Sequence, residues 1–165
     1  MSIKRIEIER FSVTTSKPFD AVVATLKAGV GRLDLVAFAN VSKSPGSFSE
    51  LEEVIHRDMG ETGLMFFLEF DHGAVLSKET GLDKPKIVRL VIGNPLVMKE
   101  MVKHVPDAGS YAPVTVLVDE RGDGVHLCYD KMTSLLAFYG NQDALKVAQD
   151  LDHKIVKLMN DAAVE

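Results

Sequence analysis

The stretch Gly63-Leu64-Met65-Phe66-Phe67-Leu68-Glu69-Phe70-Asp71-His72-Gly73 decides the fold class of this chain. Only Glu69 interrupts the apolar run before Asp71, which predicts a strand over residues 63–70 buried on both faces. Asp71 then offers a side-chain oxygen where a short helix over residues 73–79 would begin, and Gly81 closes that helix. A core strand running directly into a helix implies a sheet with helices laid against it.

Upstream, Ile6, Ile8, Phe11 and Val13 alternate with charged and polar residues, with one slip of phase, and predict an outer strand over residues 3–13. Lys17-Pro18 opens a helix whose apolar positions are Phe19, Val22, Val23, Leu26, Val30 and Leu33. Residues 35–41 are apolar enough for a buried strand, which Ser44-Pro45-Gly46-Ser47 stops. Ser47 and Glu50 have the spacing of a capping box, and Phe48, Leu51, Val54, Ile55 and Met59 form the stripe of the next helix.

Downstream, residues 87–92 predict a second buried strand ending at Gly93-Asn94-Pro95. There Asn94 caps, and Pro95 starts, a short helix carrying Val97, Met98, Met101 and Val102. Val114, Val116 and Val118, the turn Arg121-Gly122-Asp123-Gly124, and Val125, Leu127 and Tyr129 have the pattern of a hairpin. A short helix over residues 134–139 precedes a long one capped by Asn141, with Leu145, Ala148, Leu151, Ile155, Leu158 and Met159 inward. Strands and helices mixed without strict alternation predict an α+β fold, an antiparallel or mixed sheet with helices packed mainly on one face. With 165 residues, no internal repeat and no dividing linker, residues 1–165 are expected to form one domain.

Composition narrows the function classes. The 24 acidic residues outnumber the 19 basic ones, for a net charge of -5, which argues against nucleic acid as a partner. Cys128 is the single cysteine, so no intramolecular disulfide or cysteine zinc knuckle can form, and a reducing, cytoplasmic setting is expected. No apolar run has the length of a membrane span, so no membrane partner is expected.

Asp71-His72 is the main candidate for chemistry. An aspartate that ends a strand and caps a helix leaves the histidine in the first turn, where the helix dipole disfavours imidazolium by roughly 0.3–1 kcal/mol at exposed sites. His72 is then a candidate general base, with Asp71 or Glu69 to orient it, since Glu69 and Asp71 share a strand face. The plain alternative makes Asp71 a cap and His72 a filler at a helix start. A second pair, Asp152-His153, lies within the last helix and is assigned no role.

Candidates for ligand binding are His72, Asn94, Met98, Met101 and Phe70, with Phe66 beside them. Thioether and aromatic side chains here adjoin a helix start able to attract an anion, although cap and core explain the same residues. His56, His104 and His126 lack metal-ligand spacing, so no metal site is expected. The cofactor is left open; haem would need only one or two donors, such as His72 with Met98 or Cys128. Cys128 reads as a small strand hydrophobe, and without a Gly-x-Ser-x-Gly elbow hydrolysis of the triad type is disfavoured.

Phe70-Asp71-His72, Ile92-Gly93-Asn94-Pro95, Ala112-Pro113-Val114 and Val125-His126-Leu127-Cys128-Tyr129-Asp130, in that order, resemble domain-of-unknown-function family 302 over residues 64–129. Ala112 stands where that family's pattern has leucine, and Asp130 where it has asparagine, which weakens any role carried over to the Pro113 and Tyr129 regions. The resemblance implies an α+β fold of the TATA-binding-protein-like grouping, a homodimer, and no agreed activity. Three functions stay open. The first is a ligand-binding or sensing domain, with a small-molecule pocket between the sheet and the helix over residues 94–104 and His72 at its rim. The second is a small enzyme using His72 as general base on a carboxylate or carbonyl substrate, and the third a structural oligomer.

Overall fold

The structure is a computed structural model that describes residues 3–164. Its strands are β1 (Arg10–Thr15), β2 (Gly31–Arg32), β3 (Met65–Asp71), β4 (Ile87–Gly93), β5 (Val114–Arg121) and β6 (Gly124–Asp130). They form one open sheet in the order β1-β6-β5-β4-β3-β2, antiparallel throughout except for the short parallel β2–β3 pair. The helices are α1 (Phe19–Ala28), α2 (Leu35–Lys43), α3 (Phe48–Asp58), α4 (His72–Thr80), α5 (Pro95–Val102), α6 (Met132–Ala137) and α7 (Gln142–Ala163), with a 3-10 turn at Pro106–Ser110. This is the α+β arrangement with a mixed sheet that the sequence predicts.

Period-two alternation sends Leu90, Ile92, Val116, Val118, Leu127 and Tyr129 into the main core, where Val22 and Leu26 of α1 and Ala148, Ile155 and Met159 of α7 meet them. Met65 pairs with Gly93, one residue out of step with the inward Ile92, and therefore faces the other way. On that far side, at the β3 end of the sheet, Met65 joins Leu33 and Ile55 in a second, smaller cluster covered by α2 and α3. Helices thus cover one face broadly and the other only at one end.

Several expectations are revised. Residues 35–41 form α2 and not a buried strand: the Asp34 carboxylate accepts hydrogen bonds from Val36 N and Ala37 N at 3.0 and 2.9 Å, and so starts a helix. An apolar run this short fits either element, and no residue of α2 is buried. The first helix stops at Ala28, before Val30 and Leu33, because Gly31 must lie against the chain at Gly60. A Cβ on Gly31 would sit 2.0 Å from Asp58 O. The outer strand covers only Arg10–Thr15 of the expected residues 3–13. In β3 burial is confined to the start, and Glu69, Phe70 and Asp71 are exposed.

Asp152, assigned no role above, is a buried carboxylate only 4% exposed. Its Oδ1 accepts from Tyr129 Oη at 2.6 Å and Met132 N at 2.8 Å, and its Oδ2 from Thr133 N at 3.1 Å and Thr133 Oγ1 at 2.5 Å. Lys131, the residue before α6, makes no side-chain cap of its own, so α7 caps α6 across the fold through Asp152. Burial, and then the adjoining Asp152 charge, push the Tyr129 phenol well above the ordinary tyrosine range.

Asp152→Ala strands these donors and is expected to destabilise the protein by about 3 kcal/mol, whereas exposed His153→Ala stays within about 0.5 kcal/mol; urea midpoints separate the two. The folded chain keeps Tyr129 neutral, while an unfolded chain ionises its tyrosines near pH 10. Stability from this group is therefore intact below pH about 10 and lost progressively above it. In tyrosinate absorbance titrations Tyr129, one of three tyrosines, should ionise only as the chain unfolds. The stability gap between the parent protein and Tyr129→Phe should shrink above that pH.

Candidate functional site

The turn from β4 into α5 is built on Asn94. Its Oδ1 accepts from Leu96 N at 2.8 Å, capping α5 at Pro95, and its Nδ2 donates to Gly63 O at 2.8 Å, tying the turn to the start of β3. Beside this junction lies a cavity of about 260 Å³. Val97, Met98 and Met101 of α5 line it, with Phe38 of α2, Phe67 of β3, Leu151 of α7, and the floor Gly109, Ala112, Pro113 and Val114. It sits where the two hydrophobic clusters meet: Phe38 and Phe67 pack on the smaller, Met101, Val114 and Leu151 belong to the larger. No charged side chain faces it, and the polar group of its one amide side chain, Asn94, is already engaged on both atoms.

The ligand-binding candidates divide into two groups. Asn94, Met98 and Met101 come together at the cavity, while Phe70 and His72 lie towards the other end of β3, beyond the lining residue Phe67 by about 10 and about 16 Å along the strand. Phe66 faces the helix layer, with Lys27 Nζ 5.5 Å from its ring centre. Phe67 reaches the cavity instead, because the β3–β4 register slips between Phe66 and Leu68 and leaves Phe67 as the extra residue of a bulge.

Around His72 the expected polar trio divides: Glu69 and Asp71 keep one face, and the imidazole is not with them. Asp71 Oδ1 accepts from Ala74 N at 2.8 Å, and Glu69 Oε2 pairs with Lys27 Nζ at 2.7 Å. Glu69 and Asp71 face an open charged hollow between α1 and α4, also lined by Lys27, Lys78 and Lys86. His72 is exposed and stacks on Phe70, ring centres 6.4 Å apart and planes 11° from parallel. Neither carboxylate orients the imidazole, and His72 is not among the residues that line the cavity with Met98. Among the described residues no cluster of three or more His, Cys, Asp or Glu side chains could hold a metal ion, and no helix is long and apolar enough to cross a membrane.

Phe38, Phe67 and Leu151 are among the lining residues that the sequence does not single out. The only signal for Phe38 was Asp34 as a cap, and a one-residue bulge leaves no trace in composition.

Asn94→Ala removes both the cap and the tie to Gly63, and is expected to cost about 2 kcal/mol against about 1 kcal/mol for Asp71→Ala, which removes a cap alone; thermal and urea melts read the difference.

Comparison with curated proteins finds no match. The fold is similar to the crystal structure of an uncharacterized conserved protein of family DUF302 from Bacillus stearothermophilus, at a TM-score of 0.65 and 15% identity, covering 93% of this chain and 97% of that one. The model of DUF302, a domain of unknown function, matches residues 39–162, reaching beyond the 64–129 stretch that carries the motifs, and the chain belongs to that family.

Proposed function

We propose that this protein binds a small, uncharged, largely apolar molecule in the cavity between α2, α5 and the end of the sheet. The observation that carries this reading is the lining: thioethers and aromatic rings around a hollow into which no charged side chain points. Methionine conforms to irregular ligands, and Met98 and Met101 lie one turn of α5 apart on the same wall. At about 260 Å³ the hollow falls just under the roughly 300–1,000 Å³ of common ligand sites, which favours a small guest. An ionised ligand would lose its hydration here with no partner to replace it. His72 takes no part in this site.

The uncharged fluorophore N-phenyl-1-naphthylamine serves as probe. The parent protein is expected to enhance its emission saturably, Met98→Leu to keep the response, and Met98→Trp, which fills the hollow, to weaken binding by about tenfold or more with little change in melting temperature. A Met98→Trp variant that binds the probe as the parent does places the guest elsewhere. Absence of binding by the parent protein overturns the reading.

A further inference from the structure

The sheet face turned away from α1 and α7 is uncovered over its centre, and its strand register can be followed side chain by side chain. One row across it is Phe70, Arg89, Leu117, Cys128 and Ser12, each pairing with the next on the neighbouring strand. The row beside it, on the side of the β4–α5 turn, carries Thr115 next to Val91 and ends with Asp130 and Arg10. Between these rows lies a hollow of about 180 Å³ lined by Arg10, Arg89, Thr115, Leu117, Cys128 and Asp130.

Of the three charged side chains that line the hollow, two pair with each other and one does not. Arg10 grips Asp130 with two hydrogen bonds, Nε to Oδ1 at 2.6 Å and Nη2 to Oδ2 at 2.9 Å, and so holds the Asp130 carboxyl below the usual range. Asp119, one row further along, is buried and likewise gripped by Arg121 through Nε and Nη2. Arg89 stands between these pairs, exposed on a central strand, and its side chain makes no hydrogen bond or ion pair among the described residues. Its neighbours across the strands, about 4.8 Å away on either side, are Phe70, itself 48% exposed, and Leu117. The fork of a guanidinium matches a carboxylate, and both nearby carboxylates of the chain are already taken.

From this charge complementarity we propose that the Arg89 hollow binds a small monocarboxylate carrying an apolar body. The carboxylate pairs with Arg89 and accepts from the Thr115 hydroxyl, while the apolar part lies against Leu117 and Phe70. The site is independent of the cavity beside α5, with which it shares no lining residue and from which it differs in charge.

Benzoate is the probe, benzamide its neutral twin, and inorganic phosphate the anion without an apolar body. Cys128 is the chain's only cysteine and lines the hollow, so its alkylation by iodoacetamide reports on this place alone. Benzoate is expected to slow that alkylation and to shift the backbone amide resonances of Thr115 and Leu117. Benzamide and phosphate should do neither at equal concentration. Arg89→Gln should weaken the benzoate effect by about tenfold or more, with Arg89→Lys intermediate because it keeps charge and loses the fork. Met98→Trp should leave benzoate binding unchanged, which separates this test from that of the cavity. If Cys128 proves unreactive, the amide shifts alone decide. Equal effects of benzamide or phosphate, an unchanged response in a folded Arg89→Gln protein, or no benzoate effect at all overturns the proposal.

Discussion

The buried carboxylate of Asp152 is the constraint on which the rest of the arrangement depends. An ionised group taken out of water is tolerated only where donors replace its hydration, and here the Tyr129 hydroxyl, the Thr133 hydroxyl and two backbone N–H groups do so. Those donors come from β6 and from the first turn of α6, whereas the acceptor belongs to α7, so one side chain fixes a strand and two helices in register. Consequences reach outward on both sides. Lys131, just before α6, pairs with Glu9 and donates its N–H to the Glu9 carbonyl, holding the segment before β1 in place. Leu151, the residue preceding Asp152, is held against α5 as a wall of the cavity.

The cavity follows from having two hydrophobic clusters where a simpler sheet would have one. Met65 and Ile92 point to opposite faces at the same end of the sheet, so α2 and α3 gather on one side while α5 and α7 close the other. The side chains meeting at that junction come from different elements and need not interdigitate as a single core does. Asn94 keeps the junction in shape by clasping the chain on both sides of it, and the bulge in β3 turns Phe67 into the gap.

Much of this was legible along the chain where the signal was local. Asp71 and Gly81 bound α4, Asn94 and Pro95 start α5, and Ser47 and Asn141 cap their helices through Glu50 N and Ala144 N, because capping depends on residues two or three positions apart. The hairpin of β5 and β6 likewise rests on Gly122-Asp123 between alternating runs. What stayed hidden depends on distant partners. Asp152 looks like any polar residue on a long helix, since Tyr129 and Thr133, about twenty residues earlier, give it its meaning. Residues 35–41 form a helix and not a strand because a short run with six apolar residues fits either element and the Asp34 cap decides between them. His72 stands at a helix start as the sequence predicts, but the strand carries it about 16 Å beyond Phe67, the β3 residue that lines the cavity.

A junction between two clusters is also where a guest molecule can be admitted at the smallest cost to the fold. A void inside the main core would remove contacts from side chains that have no freedom to relax, and its penalty grows with its volume. At the seam, by contrast, one wall is α2, which buries none of its own residues and touches the hollow through Phe38. A molecule bound there would add to stability by RT ln(1 + [L]/Kd). The exposed Leu35 and Val36 of α2 show that this helix is held by its cap and its neighbour α3 more than by burial of its own.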